Sequence, residues 1–227
     1  MKKKILIVLF AICAFCLTAC GNKDLKLNDY LIEERQNLFI AQDEVYTVSL
    51  SSGMREENYN FDGVKNNMVE FGIVTIARLD SAPMGNFDYN YTIKVDDQTF
   101  TGKLEKSEVE NSYIADIEKR VNDSSSVSVQ IVFGSTSFNK EMTNISSKFE
   151  VNSNKAIEIA NQTLKKDIKQ LTSDKNNKIE AVMKIVKDSS SADPCNYYWY
   201  VGVVSTNGEI LGVLVDSSNG QIIAKKV

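Results

Sequence analysis

The chain has 227 residues with 30 acidic and 26 basic side chains, a formal net charge of −4, and no histidine. Without histidine, a Ser-His-Asp triad, a Cys-His pair and a histidine-ligated zinc site are all excluded. An acidic chain has no electrostatic reason to bind nucleic acid, so we expect no nucleic-acid partner.

The N-terminal segment has the pattern of a secretory signal. Lys2, Lys3 and Lys4 precede an apolar run that covers residues 5–19. Basic residues followed by an apolar run and then small residues are typical of a signal peptide. The apolar run has 15 residues, whereas a membrane-spanning helix needs about 20. We therefore predict that residues 1–19 are a signal peptide.

The end of this segment, Leu17-Thr18-Ala19-Cys20, resembles the lipobox of bacterial lipoproteins. In that family a diacylglycerol is attached to the cysteine thiol, and a peptidase then cuts before the cysteine. The resemblance implies that Cys20 is the first mature residue and the lipid anchor, on the extracytoplasmic side of the cell membrane. The alternatives are an uncleaved anchor helix and an ordinary signal peptide with a coincidental cysteine.

Cleavage before Cys20 would change the charge and cysteine content of the chain. Removing three lysines leaves 26 − 3 = 23 basic residues against 30 acidic residues, a formal charge of −7. Cys13 and Cys16 would leave with the signal peptide, so Cys195 would have no partner within the mature chain. We interpret Cys195 as an incidental thiol; an intermolecular disulfide or a reactive role is the alternative.

Residues 20–43 are polar and are interpreted as a tether, with a short helix over residues 29–37. Residues 44–151 then show repeated period-two alternation, which predicts strands. Residues 113–121 fit a strand or a helix, and we favour the strand. The predicted strands are 46–50, 71–79, 89–95, 100–104, 113–121 and 127–133. Short strands at regular spacing resemble an immunoglobulin-like β-sandwich, although the paired cysteines and the buried tryptophan of antibody domains are missing.

Residues 152–227 switch to a helical period and then return to strands. Asn152 or Ser153 can cap the helix. Its apolar positions recur at steps of three and four, which places them on one stripe: Ile157, Ala160, Leu164, Ile168 and Leu171. The strands predicted after it cover residues 179–186, 197–205, 209–215 and 221–227. The Asn-Gly pairs at 207–208 and 219–220 predict tight type I′ hairpins. The predicted fold class is mainly β, with an α+β part made of one helix and an antiparallel meander.

The stretches AIEIANQTL and YYWYVGVVSTNGEILGVLVDSSNGQII resemble a PepSY domain. That family ends in an aspartate, a glycine four residues later and an apolar position, and Asp216, Gly220 and Ile222 stand where that ending belongs. PepSY domains occur in propeptides that restrain proteases and in envelope proteins associated with peptidase activity, and they carry no catalytic residues. The resemblance implies a protein or peptide partner. Our candidate contact surface is a run of four aromatic residues: Tyr197, Tyr198, Trp199 and Tyr200.

No motif in the chain predicts catalysis, a cofactor or a metal site. Ser137 and Lys140 match S-x-x-K, but no companion motif follows them. We therefore expect an envelope protein that binds or modulates another protein and is not an enzyme. A solute-binding lipoprotein is the alternative, although the strand-helix alternation that builds two α/β lobes is missing. A hydrolase would have to rely on carboxylates or on the S-x-x-K pair.

Overall fold

The computed structural model describes residues 25–58, 60–188 and 196–227, so Cys20 and Cys195 lie outside the described residues. It confirms a mainly β protein: thirteen strands form one hydrogen-bonded sheet, and these residues contain one α-helix, α1 (Ser153–Leu171). The strands are β1 (Leu31–Gln42), β2 (Tyr46–Glu56), β3 (Met68–Arg78), β4 (Tyr89–Val95), β5 (Gln98–Lys106), β6 (Ser112–Ile117), β7 (Val127–Phe133), β8 (Thr136–Glu141), β9 (Thr143–Asn144), β10 (Ile179–Lys187), β11 (Tyr197–Ser205), β12 (Ile210–Asp216) and β13 (Ile222–Lys226).

The strand predictions from period-two alternation are confirmed. In β4 and β7 every second residue is buried, as a sheet with one solvated face requires. β3 lies between β2 and β6; Val74 and Ile76 are buried, whereas Ile73, Thr75 and Ala77 on its other face are only partly buried. The ambiguous segment 113–121 contributes strand β6, since cross-strand pairing with β3 gives its tyrosine and isoleucine a buried face.

Strands β1 to β9 form a ring, in which β8 is joined to β9 by the chain through Met142 and not by strand pairing. Four neighbours, β1-β2-β3-β6, continue into β5-β4-β7-β8, and β9 pairs back onto β1. β7 returns to lie beside β4 after the consecutive strands β4, β5 and β6, which is a Greek-key connection. The first four neighbours differ from the A-B-E-D order of an immunoglobulin sheet. The ring encloses what we call the N-terminal core, which includes Phe39, Leu50, Ile76, Tyr89, Ile93, Leu104 and Ile131.

The predicted helix and meander are confirmed in the C-terminal part. The side-chain Oδ1 of Asn152 accepts a hydrogen bond from the Lys155 backbone N–H at 3.0 Å, so Asn152 is the N-cap. All five predicted stripe positions of α1 are buried. They pack on one face of the meander β10-β11-β12-β13. This C-terminal core includes Leu164, Ile168, Met183, Trp199, Val201 and Val213.

The two Asn-Gly turns differ from the prediction. A type I′ turn needs positive φ at both central residues, but here only the glycines have it, with φ of 87° at Gly208 and 77° at Gly220. The Gly208 N–H donates to the Ser205 carbonyl at 2.9 Å. At Gly208 this geometry is a type I turn followed by a left-handed glycine, which is the usual three-residue hairpin loop, whereas the Gly220 N–H donates to the Asp216 carbonyl at 2.9 Å and closes a loop of four residues. The type I′ assignment was therefore wrong.

The prediction of a helix over residues 29–37 was also wrong, and the tether does not extend to residue 43. Strand β1 pairs antiparallel with β2 and parallel with β10, so it lies inside the sheet. Its side chains alternate between the two cores: Leu38 packs in the C-terminal core, and Phe39 packs in the N-terminal core. Leu27, just before β1, is already buried. A single strand therefore joins both halves of the structure.

The chain around the predicted boundary at residue 151 is held tightly rather than forming an open linker. The Ile145 N–H donates to the Leu38 carbonyl at 2.8 Å, and the Val151 N–H donates to the Ser217 carbonyl at 3.0 Å. The C-terminal core includes Val151, from the end of the predicted N-terminal half, as well as Leu27, Leu31 and Leu38 from before residue 44. The division into two domains stays a prediction. None of the described helices is both long and apolar enough to cross a bilayer.

Candidate functional site

The four aromatic residues of β11 divide between the two faces of the sheet. Tyr197 and Trp199 point towards α1 and are 5% and 2% exposed. The Trp199 indole N–H donates to the Val151 carbonyl at 2.7 Å, and the ring of Phe149 meets the indole edge-on with centroids 5.7 Å apart. Tyr197 and Trp199 are therefore part of the C-terminal core and not of a contact surface.

Tyr198 and Tyr200 lie on the opposite face, which we call the outer face, and both are partly exposed. The Tyr198 hydroxyl donates to the Asp188 carboxylate at 2.7 Å and accepts a hydrogen bond from the Asn196 side-chain amide at 3.1 Å. The bond to the carboxylate raises the pKa of Tyr198, so its hydroxyl stays protonated at neutral pH. Tyr198 is thus fixed at one end of the outer face.

Tyr200 lies flat on a part of the sheet that has no side chains of its own. Gly202 and Gly212 are directly opposite each other on β11 and β12. A Cβ atom added at Gly202 would lie 2.6 Å from the Tyr200 hydroxyl, and one added at Gly212 would lie 3.2 Å from its ring. The Lys184 ammonium lies 5.9 Å from the ring centroid on the neighbouring strand. The two glycines therefore allow the tyrosine ring to rest on the backbone.

Apolar side chains surround this ring on the outer face. Val182 and Leu214 are the cross-strand partners of Gly202 and Tyr200, and Val204 and Ile210, paired with each other, lie beyond the two glycines on the same face. A shallow depression of about 290 Å³ lies between Tyr200 and β13, lined also by Leu214, Ala224 and Lys226. The outer face thus offers an aromatic ring, aliphatic side chains and lysines, which can bind an apolar side chain with a neighbouring negative charge.

A second concavity, of about 730 Å³, lies near the C-terminal end of α1. Its lining is mainly polar and comprises Asp167, Gln170, Leu171, Ser173, Asp174, Asn176, Asn177, Thr206, Asn207, Glu209, Leu211 and Val227. The Lys225 ammonium bridges to the Asp167 carboxylate at 2.7 Å at its margin. Among the described residues, no three acidic or cysteine side chains are grouped in a way that could hold a metal ion.

The S-x-x-K pair is not arranged as a catalytic dyad. Ser137 and Lys140 both lie on β8. Residues three apart on a strand point to opposite faces of the sheet, and both side chains are exposed to solvent. The hydroxyl and the amine therefore do not converge on one substrate.

Sequence reasoning missed a pair of buried carboxylates, Glu56 and Glu180, which are 0% and 3% exposed. The signal at Glu180 is visible in hindsight, because it stands in the otherwise apolar start of β10, IEAVM. Glu56 gives no such signal, since it follows Arg55 and precedes Glu57 at the end of a strand.

Comparisons with models of protein families, with curated proteins and with solved structures found no match to this chain. The functional assignment therefore depends on the residues and geometry described above.

Proposed function

We propose that this chain is a lipid-anchored protein of the cell envelope that binds another protein or a peptide and does not act as an enzyme. The observation that supports it best is the outer face of the C-terminal meander, where Tyr198 and Tyr200 are partly exposed. Tyrosine gives a large contact area with few rotatable bonds and is frequent at the energetic centres of interfaces. Tyr200 also lies beside aliphatic side chains and Lys184, so apolar and charged contacts are available together.

The resemblance to PepSY domains leads us to propose a peptidase or its peptide substrate as the partner. One helix packed on an antiparallel meander agrees with what that resemblance implies. We propose that the N-terminal part is an immunoglobulin-like sandwich that acts as a rigid support. Its Greek-key connection favours this fold, whereas its strand order departs from that of an immunoglobulin sheet.

The proposed anchor would hold the folded part close to the membrane. Leu27, which is 1% exposed, is the first residue fixed in the core, seven positions after Cys20. Seven extended residues span at most about 25 Å. The folded part would therefore lie within about one domain diameter of the bilayer, where its partner must also be located.

The anchor can be tested with Cys20→Ser in cells that export the chain. We expect the variant to appear in the medium or to accumulate unprocessed, because it lacks the thiol that carries the two acyl chains. Release is followed by immunoblotting of membrane and medium fractions. Wild-type protein that lacks lipid by mass spectrometry, or a serine variant that remains on the membrane at mature size, would contradict the anchor.

The contact surface can be tested by cross-linking on intact cells and identification of the captured protein. We expect the double variant Tyr198→Ala/Tyr200→Ala to lose capture while its unfolding temperature stays close to that of wild type. The matched control is Phe87→Ala, because Phe87 is a partly exposed aromatic residue of the N-terminal part at 52% exposure. Equal loss in the control, or full capture by the double variant, would place the surface elsewhere.

The polar concavity supports a second candidate, a ligand-binding lipoprotein. Its amides, hydroxyl groups and carboxylates suit a small polyhydroxy or amine-bearing molecule. Thermal-shift screening with sugars and amino sugars would test it. A shift that Asn177→Ala and Glu209→Ala remove, and that Tyr200→Ala leaves unchanged, would favour this candidate.

A further inference from the structure

Two buried carboxylates lie beneath the segment 60–67, which connects β2 to β3. Glu56 ends β2, and Glu180 is the second residue of β10. The Oε2 atom of each is buried and has no hydrogen-bond partner among the described residues. Ionised glutamate is almost never fully buried unless it is paired, because burial removes its hydration. Two such groups therefore need an explanation beyond packing.

The segment is attached to these carboxylates through its backbone. The N–H groups of Asp62 and Gly63 donate to Oε1 of Glu180, the first at 2.9 Å, and the N–H of Asn66 donates to Oε1 of Glu56. Gly63 has φ of 74°, and a Cβ atom there would lie 2.3 Å from the Lys178 Cβ. Only glycine permits this approach, so the segment sits in one defined position.

The electrostatics favour the neutral form of Glu180. Burial raises the pKa of Glu180, and the negative charges of Glu56 and Asp62 raise it further, while the two backbone donors act in the opposite direction. The nearby cations do not neutralise the pair: the Lys65 ammonium donates to the Asn28 carbonyl at 3.1 Å, and the Lys178 side chain contacts Gly63.

We propose that Glu56 and Glu180 form a latch that holds residues 60–67 on the sheet through their backbone N–H groups, with Glu180 as the proton-binding group. The latch does not depend on the proposed contact surface, but it adjoins that surface. Phe61 and Gly63 line a narrow cleft with Val204 and Ser205 of β11, and Val204 is two residues from the glycine beneath Tyr200. Opening of the segment would uncover this end of the outer face.

The direction of the pH effect follows from the sign of the shift. The pKa of Glu180 is higher when the segment is closed than when it is open and hydrated, so closure binds protons more strongly. The latch is at full strength below the pKa of a hydrated glutamate, and it weakens as the pH rises through the raised pKa. Acidification therefore closes the segment, and neutral or alkaline pH loosens it.

The test is amide hydrogen exchange on the full-length protein in detergent micelles, with protection corrected for intrinsic rates. Between about pH 4, just below the pKa of a hydrated glutamate, and about pH 7.5 we expect the protection of the Asp62, Gly63 and Asn66 amides to fall, because the raised pKa of Glu180 makes closure favour the protonated form. Amides of Val201 and Val213, in the C-terminal core, should keep their protection.

Glu180→Gln provides the decisive variant, because its amide oxygen still accepts from the two N–H groups and it carries no charge. We expect Glu180→Gln to keep the segment protected at both pH values. If Glu180→Gln does not fold, Glu56→Gln serves instead, and we expect it to reduce the pH dependence of amide protection in the segment. The matched control is Glu57→Gln, an exposed glutamate next to Glu56, which should behave like wild type. Protection that does not change with pH in the wild type, or that depends on calcium and is reversed by EDTA, would overturn the proton latch.

Discussion

Because strand β1 contributes side chains to both cores, we predict that the two cores unfold together. The fluorescence of the single tryptophan can measure this coupling. Trp199 is the only tryptophan of the chain and is 2% exposed in the C-terminal core. Ile93 lies on β4 in the N-terminal core and is 0% exposed. The substitution Ile93→Ala thus perturbs one core, and the fluorescence of Trp199 reports on the other.

The expected magnitude follows from the burial of Ile93. Truncation of a fully buried isoleucine to alanine costs about 2–5 kcal/mol, the sum of lost transfer free energy and the cavity left behind. With a urea m-value of about 2–3 kcal/mol/M, this lowers the unfolding midpoint by roughly 1–2 M. Because β1 contributes Leu38 to one core and Phe39 to the other, the tryptophan signal should shift by the same amount as the far-UV circular dichroism.

The control is Ile114→Ala on β6, where the side chain is 37% exposed. A substitution at an exposed site changes the free energy of unfolding by about 0.5 kcal/mol or less, so neither signal should move. A tryptophan midpoint that is unchanged in Ile93→Ala, together with a separate early transition in circular dichroism, would refute the coupling. It would show instead that the halves before and after residue 151 fold independently.

Three further predictions concern the C-terminal part. Trp199→Phe should lower the free energy of unfolding by about 1–3 kcal/mol, because the Val151 carbonyl loses its donor in a buried place; a loss near zero in chemical denaturation would contradict that bond. Gly202→Ala should displace the Tyr200 ring, whose hydroxyl lies 2.6 Å from the added Cβ position. The displacement should change the Tyr200 ring signals in NMR. The control Gly208→Ala, which has open space around the added Cβ, should leave that ring in place. Lys225→Met should weaken the pH dependence of stability at acid pH, because the bond to Lys225 lowers the pKa of Asp167. The stabilisation by this ion pair is present above the pKa of a free aspartate and is lost as the pH falls. Equal acid sensitivity of the variant and the wild type would exclude this contribution.

The local elements were predictable from the sequence because their signals are local. Helix α1 carries its cap at Asn152 and a complete apolar stripe. The strands β4 and β7 alternate strictly between buried and less buried positions, and β11 does so except at Gly202, which is buried like its two neighbours. The same alternation predicted that two of the four β11 aromatic residues share each face, but only the position of α1 decided that Tyr198 and Tyr200 are the partly exposed pair.

Strand β1 was not predictable for a physical reason. Its middle, EERQN, is polar and reads as a solvated helix or tether, yet its polar groups are satisfied by distant partners. The Asn37 side-chain amide donates to the Val121 carbonyl at 2.6 Å, and a register shift between Arg35 and Asn37 relative to β2 changes the face on which the following residues lie. Strand propensity depends on such cross-strand contacts more than on the residues themselves.

The placement of β1 also gives the proposed anchor a mechanical consequence. A lipid on Cys20 would connect through a few residues to Leu27 and then directly to the strand that contributes side chains to both cores. Force applied through the proposed anchor would therefore be transmitted to a strand in the interior of the sheet. Parallel pairing of β1 with β10 carries that restraint to the meander, because β10 borders β11, where Tyr198 and Tyr200 lie. A partner bound on the outer face would thus be held near the bilayer, within the reach of the seven positions from Cys20 to Leu27, which suits recognition of a membrane-bound protein better than capture of a freely diffusing one.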